Sequence, residues 1–217
     1  MLGVPPMLTL DEIVCERDGR GLFAPVSISV HAGDYVELMG PNGAGKSTLL
    51  RTLAGLHSRY SGAFDGVDCL FQGHRLGLDG LLTPLENFAW FVGLEDQDED
   101  RERCLDALQR TGVLDKAYQP CNEMSAGQQR RVAMARWLLS SRSLWLLDEP
   151  LTALDASAQQ VLAEIIVEHC QAGGAVVCAT HSELPIAQKR SLKLEAFQSK
   201  ANGPALGGDQ SGESFQE

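Results

Sequence analysis

Nine consecutive residues constrain the possible fold of this chain more than any other part of the sequence. They fit the pattern G-x-x-x-x-G-K-[ST], which forms a loop whose backbone N–H groups face phosphate oxygens. An apolar run at residues 35–39 precedes them and is typical of a buried strand, and residues 48–55 follow as a short helix ending on a glycine. The sequence therefore predicts a strand–loop–helix phosphate site built from Gly40, Pro41, Asn42, Gly43, Ala44, Gly45, Lys46, Ser47 and Thr48.

A second nucleotide-binding signal lies much further along the chain. The apolar residues 144–147 predict a buried strand that presents Asp148 at its carboxyl end, where open α/β sheets bind ligands. We expect Lys46 to reach the β- and γ-phosphates, and Ser47 and Asp148 to share a Mg²⁺ ion. Glu149 follows directly, and we expect it to polarise an attacking water as a general base.

Composition narrows the class of protein. The 217 residues carry a net charge of −11, which argues against wrapping DNA or RNA, so no nucleic-acid partner is expected. No apolar run approaches the length of a membrane span, and the first residues do not have the pattern of a secretory signal. Six scattered cysteines lack C-x-x-C or metal-ligand spacing, which favours free thiols in a reducing cytosol.

The remaining pattern places both motifs in one α/β domain. Short buried strands that alternate with helices predict a parallel sheet, and the segment 144–180 predicts a βαβ unit. Beyond Leu194, Gly, Ser, Gln and Asp dominate, which predicts a disordered tail. The predicted elements are an antiparallel β portion at 8–39, a polar helical region at 81–120, helices at 125–139 and 155–171, and strands at 144–148 and 175–180.

A third segment lies between the two motifs. Ser125 is a suitable helix N-cap, and the small residues that follow it let a phosphate approach closely. Alone, the segment would be a capped amphipathic helix. In company with the other motifs it resembles the signature motif of the ATP-binding cassette (ABC) family, here Ser125, Ala126, Gly127 and Gln128. Residues 151–155 resemble the D-loop of that family, with Asp155, and Thr180-His181 resembles its switch histidine.

The resemblance covers about residues 8–195 and implies an α/β P-loop NTPase of the ABC type. That fold has a RecA-like parallel-sheet core, an antiparallel β subdomain and a helical signature subdomain, here about residues 73–140, while residues 196–217 would be the disordered tail. It implies an ATPase that uses ATP and Mg²⁺, with Glu149 and His181 catalytic. Two cassettes would pack head to tail as a homodimer, and each ATP would lie between the phosphate loop of one copy and Ser125 of the other.

A finer resemblance is to the ATPase subunits of the cytochrome c maturation system, often described as a haem exporter. It rests on residues 15–18, 22–23, 73–74, 77–78, 82–87 and 125–132. It implies integral membrane transporter subunits as partners, a haem chaperone indirectly, and a peripheral position on the cytoplasmic face of the bacterial inner membrane.

Two positions depart from the common ABC pattern. Counting back from Leu85-Glu86-Asn87, the place of the Q-loop glutamine falls on His74, while Gln72 lies two residues earlier, so the Q-loop role stays open between them. The aromatic residue that usually stacks on adenine is replaced by Arg17, whose planar guanidinium could stack instead. An exposed turn charge is the alternative for Arg17.

The first lobe is unusually short. Only 27 residues separate Lys46 from His74, and residues 58–69 would normally form a β-hairpin. We expect a trimmed lobe with its catalytic loop intact; a damaged edge strand is the alternative.

Other functions share parts of this pattern. An ABC transporter ATPase for another substrate shares every catalytic motif. A cassette protein that acts on ribosomes or DNA is disfavoured by the charge of −11. A non-hydrolytic regulatory module usually lacks the catalytic glutamate or the signature serine, and both are present here as Glu149 and Ser125.

Overall fold

The structure is a computed structural model that describes residues 4–95, 100–182 and 184–196. In these ranges two short 3₁₀ turns, Leu114–Lys116 and Cys121–Glu123, join the helices. The strands and helices, in chain order, are β1 (Leu8–Arg17), β2 (Arg20–Gly21), β3 (Val26–Val30), β4 (Tyr35–Met39), α1 (Lys46–Leu53), β5 (Tyr60–Gly66), β6 (Cys69–Gln72), α2 (Pro84–Leu94), α3 (Arg101–Arg110), α4 (Ala126–Trp137), β7 (Leu144–Asp148), α5 (Ala156–Gln171), β8 (Ala175–Ala179) and β9 (Arg190–Lys193).

A parallel sheet forms the centre of the molecule, with strand order β6-β7-β8-β4-β9. Every residue of β7 and β8 is buried, as expected for parallel strands covered on both faces. The two strands pair directly, Leu144 opposite Ala175 and Asp148 opposite Ala179, with α5 as their crossover. The predicted βαβ unit is therefore confirmed. Because the strands are parallel, β4, β6, β7 and β8 end at one edge of the sheet, and this edge carries the site.

An antiparallel sheet packs over one face of this core. β1 pairs with β2 and β3 on one side and with β5 on the other. One apolar cluster joins this sheet to α1 and to the parallel sheet, and includes Ile13, Phe23, Leu49 and Val177. The antiparallel portion predicted from the alternating residues is confirmed.

The segment that would normally form a β-hairpin contributes one strand to this sheet. β5 pairs with β1 from Leu8–Gly66 to Cys15–Tyr60, and the chain then enters the parallel sheet at Cys69. A second hairpin arm would need residues that the short connection lacks. The lobe is trimmed, as expected, and β5 is a seven-residue strand that pairs with β1 on both sides of one register shift, between Asp11 and Val14.

The helical region forms a lobe with its own core. Apolar side chains from α2, α3 and α4 meet there, among them Phe88, Leu108 and Val132, each fully buried. α4 also presents Met134 and Trp137 to the second face of the parallel sheet, where α5 packs. This helix therefore belongs to both the lobe and the core. None of the described helices is long and apolar enough to cross a bilayer.

The last described residues return to the site edge of the sheet. β9 pairs with β4, and Leu194 N–H then donates to the carbonyl of Met39 at 2.8 Å. Ala196 forms an isolated bridge with Phe23. Ala196, the first residue of the predicted tail, is the last residue that the structure describes. Residues 197–217 of that predicted tail lie outside the described residues.

Candidate functional site

The phosphate loop connects the end of β4 to the start of α1. Gly40, Gly43 and Gly45 have positive φ values of 150°, 80° and 96°, a region that side chains with a Cβ rarely adopt. Gly45 is the N-cap of α1, and a Cβ there would lie 2.8 Å from the ring of Phe23. The loop glycines thus allow both the turn and the close packing beneath it.

Lys46 lies at the first position of α1 and is buried. Its Nζ donates to the carbonyl oxygens of Gly40 at 2.7 Å and Pro41 at 3.3 Å. These bonds draw the loop around the ammonium group, which lines a cavity of about 550 Å³. The cavity is lined by Arg17, Leu22, Asn42, Gly43, Ala44, Gly45, Lys46, Ser47, Thr48, Glu149, Thr152 and His181.

Ser47, which lines this cavity, contacts Asp148 at the end of β7. The Ser47 hydroxyl donates to Asp148 Oδ1 at 2.9 Å, which joins α1 to the carboxyl end of β7. A hydroxyl and a carboxylate are hard oxygen ligands of the kind that Mg²⁺ takes, usually completed by phosphate and water oxygens. Among the described residues no group of three or more His, Cys, Asp or Glu side chains is placed to hold a metal ion by itself.

Glu149 and His181 lie against each other at the cavity. His181 Nε2 is 3.2 Å from Glu149 Oε1, and both side chains are partly exposed, at 48% and 26%. Glu149 has a φ of 51°, and its backbone N–H donates to Ala179 O at 2.8 Å. The turn after β7 is thus anchored to the neighbouring strand β8, which brings the carboxylate to the imidazole. A carboxylate and an imidazole ring in contact therefore line the cavity of the phosphate loop.

Gln72 and His74 differ sharply in their surroundings. Gln72 is 1% exposed, and its amide nitrogen donates to the carbonyls of Gly73 and Arg75. Its oxygen accepts from Arg136 at 2.9 Å and from Trp137 Nε1 at 3.2 Å. His74, by contrast, is exposed on the turn that these bonds hold. The glutamine is therefore occupied within its own chain, and the histidine is the residue of the two with a side chain open to solvent.

The signature segment starts α4 at the surface. Ser125 is the N-cap, and its hydroxyl accepts from Gln128 N–H while the Gln128 side chain accepts from Ser125 N–H, a capping box. A Cβ on Gly127 would lie 3.0 Å from Ala153 O, so the helix start packs closely on the turn after β7. Neither Ser125 nor Ala126, both exposed, lines the nucleotide cavity of the same chain.

The Asp155 carboxylate makes its hydrogen bonds to residues of its own chain. Its carboxylate caps α5 by accepting from Ala158 N–H at 2.8 Å, and it accepts from Arg131 at 2.8 Å. Arg131 also donates to Thr111 O, so it ties α4 to α5 and to the end of α3. The hydrogen bond from the Ala158 backbone, with further help from Ser157 and Arg131, lowers the pKa of Asp155. This side chain therefore joins the D-loop to the signature helix.

An apolar groove of about 510 Å³ opens beside the helical lobe. The side chains of Trp90 (69% exposed) and Leu94 (66% exposed) project from α2, one helical turn apart. This groove was not predicted, although two large apolar side chains at a spacing of four are a signal that the sequence carries. The groove is lined by Gly77, Leu78, Asp79, Leu82, Asn87, Trp90, Phe91, Leu94 and Arg136.

The structure thus brings most of the predicted site residues together. Loop residues 42–48, Arg17, Glu149 and His181 line one cavity, and Asp148 accepts a hydrogen bond from Ser47. Sequence reasoning missed Leu22 and Thr152, which line the cavity as well. The predicted site residues that do not line it are Gly40, Pro41, Gln72, His74, Asp155 and the signature residues Ser125, Ala126, Gly127 and Gln128.

This fold and site define a class of protein. A family model described as ABC transporter matches residues 23–152. A putative ABC transporter ATP-binding protein from Pyrococcus furiosus has the same fold, with a TM-score of 0.77 and 23% identity, covering 86% of this chain and 96% of that chain. An ATP-binding subunit of an ABC transporter aligns with a TM-score of 0.78 and 22% identity, covering 87% and 86%. The chain is an ABC transporter ATP-binding protein, as predicted.

Curated relatives narrow the class. The chain is 42% identical over 211 residues to the cytochrome c biogenesis ATP-binding export protein CcmA of Hahella chejuensis, covering 90% of this chain and 99% of the relative. It is 38% identical to the protein of the same name from Escherichia coli K12, covering 90% and 99%. The chain belongs to the CcmA family, which confirms the finer resemblance.

Proposed function

We propose that this chain is the ATP-hydrolysing subunit of an ABC complex in cytochrome c biogenesis, where hydrolysis drives haem export or the release of a haem-loaded chaperone. The observation that carries the proposal is the pair Glu149–His181 at 3.2 Å, facing the cavity of the phosphate loop. The names and the identity of the CcmA relatives support the biological process.

Different residues at the cavity bind different parts of the nucleotide. Backbone N–H groups of residues 42–48 and the Lys46 ammonium hold the phosphates, and Ser47 and Asp148 would hold a Mg²⁺ ion, whose charge would neutralise charge that develops on the phosphate oxygens. The guanidinium of Arg17 stacks on the adenine ring. The assignment is supported by residues 42–48 and Arg17, which line the cavity, and by Asp148, which accepts a hydrogen bond from Ser47.

Glu149 and His181 serve the chemical step. Glu149 takes a proton from the attacking water as the water oxygen bonds to the γ-phosphorus, and the bond from that phosphorus to the ADP oxygen breaks. His181 orients the Glu149 carboxylate and contacts the γ-phosphate. We assign the Q-loop role to His74, because the Gln72 amide is held by four bonds within the chain.

A second copy of the chain completes each site. Ser125 and the start of α4 are exposed and lie off the nucleotide cavity of their own chain, so they are free to bind the γ-phosphate held by a partner. ATP then bridges the two copies in the closed state, and product release reopens them. The homodimer thus converts binding and hydrolysis into movement.

Membrane subunits receive that movement. The groove beside α2 exposes Trp90 and Leu94, whose burial by a partner helix would stabilise an assembly. We propose that integral membrane transporter subunits dock here and that the chain works peripherally on the cytoplasmic face of the bacterial inner membrane. A haem chaperone is an indirect partner.

Deletion of the gene tests the function. We expect loss of covalent haem on c-type cytochromes, restored by the wild-type gene and not by Glu149→Gln. Normal levels of covalent haem on c-type cytochromes in the deletion strain would refute the role in cytochrome c biogenesis. The assignment of the chain as an ABC ATPase would still stand.

A further inference from the structure

Strand β5 leaves one edge of the antiparallel sheet unpaired. Among the described residues it pairs with β1 alone, while β1 has β2 and β3 on its other side. The chain passes directly from Gly66 to Cys69, where it enters the parallel sheet. Six of the seven residues of β5 are exposed. The outer edge therefore presents backbone N–H and C=O groups to which another extended strand can bond.

This edge lacks the features that usually prevent a strand from pairing with another molecule. Natural edge strands are short, charged or interrupted by proline or a bulge. β2 has two residues, and β9 carries an arginine and a lysine. In β5, by contrast, Asp65 is the one charged side chain, and the strand contains neither lysine nor proline. The bulge beside it belongs to β1, because Asp11 to Val14 spans three steps where Ala63 to Ser61 spans two.

The sequence of β5 is complementary to itself when two copies run antiparallel about Ala63. Phe64 then lies opposite Gly62 of the second copy, and Tyr60 lies opposite Gly66. An aromatic ring beside a cross-strand glycine is a stabilising pair, because the ring covers backbone that the glycine leaves bare. Tyr60 and Phe64 share one face of the strand, with ring centres 5.5 Å apart. Four aromatic rings would therefore meet on one face of the joined sheet.

The polar residues of β5 match in the same register. Ser61 lies opposite Asp65 of the second copy, so a hydroxyl donor meets a carboxylate and the two carboxylates stay apart. Ala63 meets its own counterpart on the two-fold axis. A two-fold axis requires a surface that fits itself in this way, whereas an unrelated peptide does not. The pattern therefore favours a second copy of this chain as the partner.

We propose that β5 is a self-association surface, at which two copies of the chain pair antiparallel about Ala63 and join their antiparallel sheets. The pairing goes beyond the proposed function and does not depend on it, because it uses neither nucleotide nor Ser125. An ATP-bridged homodimer has two such edges, one on each copy, so the pairing links one homodimer to the next. One strand pair buries less than a standard interface, so we expect a dissociation constant on the order of 10⁻⁴ M.

Two lysine substitutions on β5 should have opposite effects. Ser61→Lys places an ammonium opposite Asp65 at both ends of the pair, and should tighten association about 2- to 30-fold. Ala63→Lys places two ammonium groups opposite each other on the axis, and should weaken association about two- to fivefold. Sedimentation velocity of the nucleotide-free full chain over about 5–500 μM measures the dissociation constant. Gln160→Lys, at an exposed position on α5, makes the same change in net charge and is the matched control.

An introduced cysteine tests the register directly. Residues opposite each other on antiparallel strands have Cα atoms about 4.5–5.5 Å apart, which a disulfide can span. Ala63→Cys should therefore form a covalent dimer on mild oxidation. Ser61→Cys, at an equally exposed position, would place its two Cα atoms about 14 Å apart and should not. The parent chain, with its six native cysteines, gives the background level of crosslinking.

The outcomes separate the possibilities. Tighter association of Ser61→Lys, weaker association of Ala63→Lys and crosslinking of Ala63→Cys alone support the pairing. A parent chain that stays monomeric up to about 500 μM overturns it, as does a shift in the same direction for both lysine variants relative to Gln160→Lys. Association that appears only after removal of residues 197–217 also overturns it, and assigns the edge to the terminal segment of the same chain. If urea denaturation shows that Ala63→Lys is unfolded, Ser61→Lys decides, because misfolding does not produce a specific gain in affinity.

Discussion

Gly45 is the residue on which the shape of the phosphate loop depends most directly. Its φ of 96° is left-handed, and the Phe23 ring lies 2.8 Å from the place that a Cβ would take, which leaves no room for a side chain. The glycine is the N-cap of α1, and residues 46–48, the first of this helix, line the cavity.

We therefore expect Gly45→Ala to weaken ATP binding by about tenfold or more, because overpacking of this kind costs about 1–3 kcal/mol. Titration calorimetry with ATP measures the loss. Gly55→Ala is the control, since Gly55 has a similar φ of +72° but open space around its Cβ position. Equal ATP affinity in the Gly45 variant and the parent would contradict the packing argument.

Glu149 is the second single residue on which a prediction rests, as the proposed general base for hydrolysis. Glu149→Gln keeps the size of the side chain and removes the base, so hydrolysis should fall on the order of 10²–10⁴-fold while ATP still binds. Steady-state phosphate release and ATP binding are measured side by side. Glu164→Gln, at an exposed position on α5, serves as the control. Undiminished phosphate release from Glu149→Gln would assign the base to another group.

At the scale of elements, α5 is fastened to β7 by a stacked pair of rings. His169 lies parallel to Trp145, with ring centres 3.7 Å apart, and its Nε2 is 2.9 Å from Ser143 O. The ring also covers Gly174, where an added Cβ would collide with the imidazole. Burial lowers the pKa of His169, against the smaller opposing effect of the Ser143 hydrogen bond.

Protonation of His169 therefore opposes folding. Because its pKa is lower in the folded than in the unfolded state, where it is about 6.5, the unfolded chain binds more protons and stability falls as the pH drops below about 6.5. In His169→Phe, which keeps a ring against Trp145, the free energy of unfolding should depend less on pH between 7 and 5. Urea denaturation at several pH values measures this, with His31→Gln as an exposed control. An identical pH slope in His169→Phe and the parent would reject the assignment.

The strands and helices also show which parts of the fold can be predicted from the sequence. The strands 144–148 and 175–179 and the helix after Asp155 were predicted almost to the residue, because unbroken apolar runs and a capping residue encode them locally. The trimmed lobe was predictable for a similar reason, since the length of a connection is read directly from the chain. The burial of Gln72, the Arg131–Asp155 pair and the Arg136 contacts were not predicted. Each depends on side chains far apart in sequence that meet only after the helical lobe packs on the sheet.

At the scale of the whole molecule, the site of one chain lacks a signature serine. The phosphate loop and Ser125 do not face the same cavity, so activity should depend on pairing. Lys46→Ala removes the loop function, and Ser125→Glu places a negative charge where a γ-phosphate would bind.

Each variant alone should therefore be inactive in hydrolysis, but a mixture should recover activity. A mixed dimer contains one site with both defects and one site with none, so random pairing restores on the order of a quarter of the normal rate. ATPase assays of the variants alone and combined after co-expression test this. A mixture that stays as inactive as its components would contradict the shared site.

The path of the chain through the parallel sheet also has a consequence for how the protein is made. β4 lies between β8 and β9, and Leu194 lies beside Gly40, so the strand that leads into the phosphate loop gains its neighbours only from the last part of the chain. At ordinary elongation rates the loop therefore leaves the ribosome on the order of 10 s before those neighbours exist. A nascent or prematurely terminated polypeptide carries the whole phosphate-loop motif but cannot form the folded phosphate-binding site. Its β4 segment stays available to chaperones until synthesis is nearly complete.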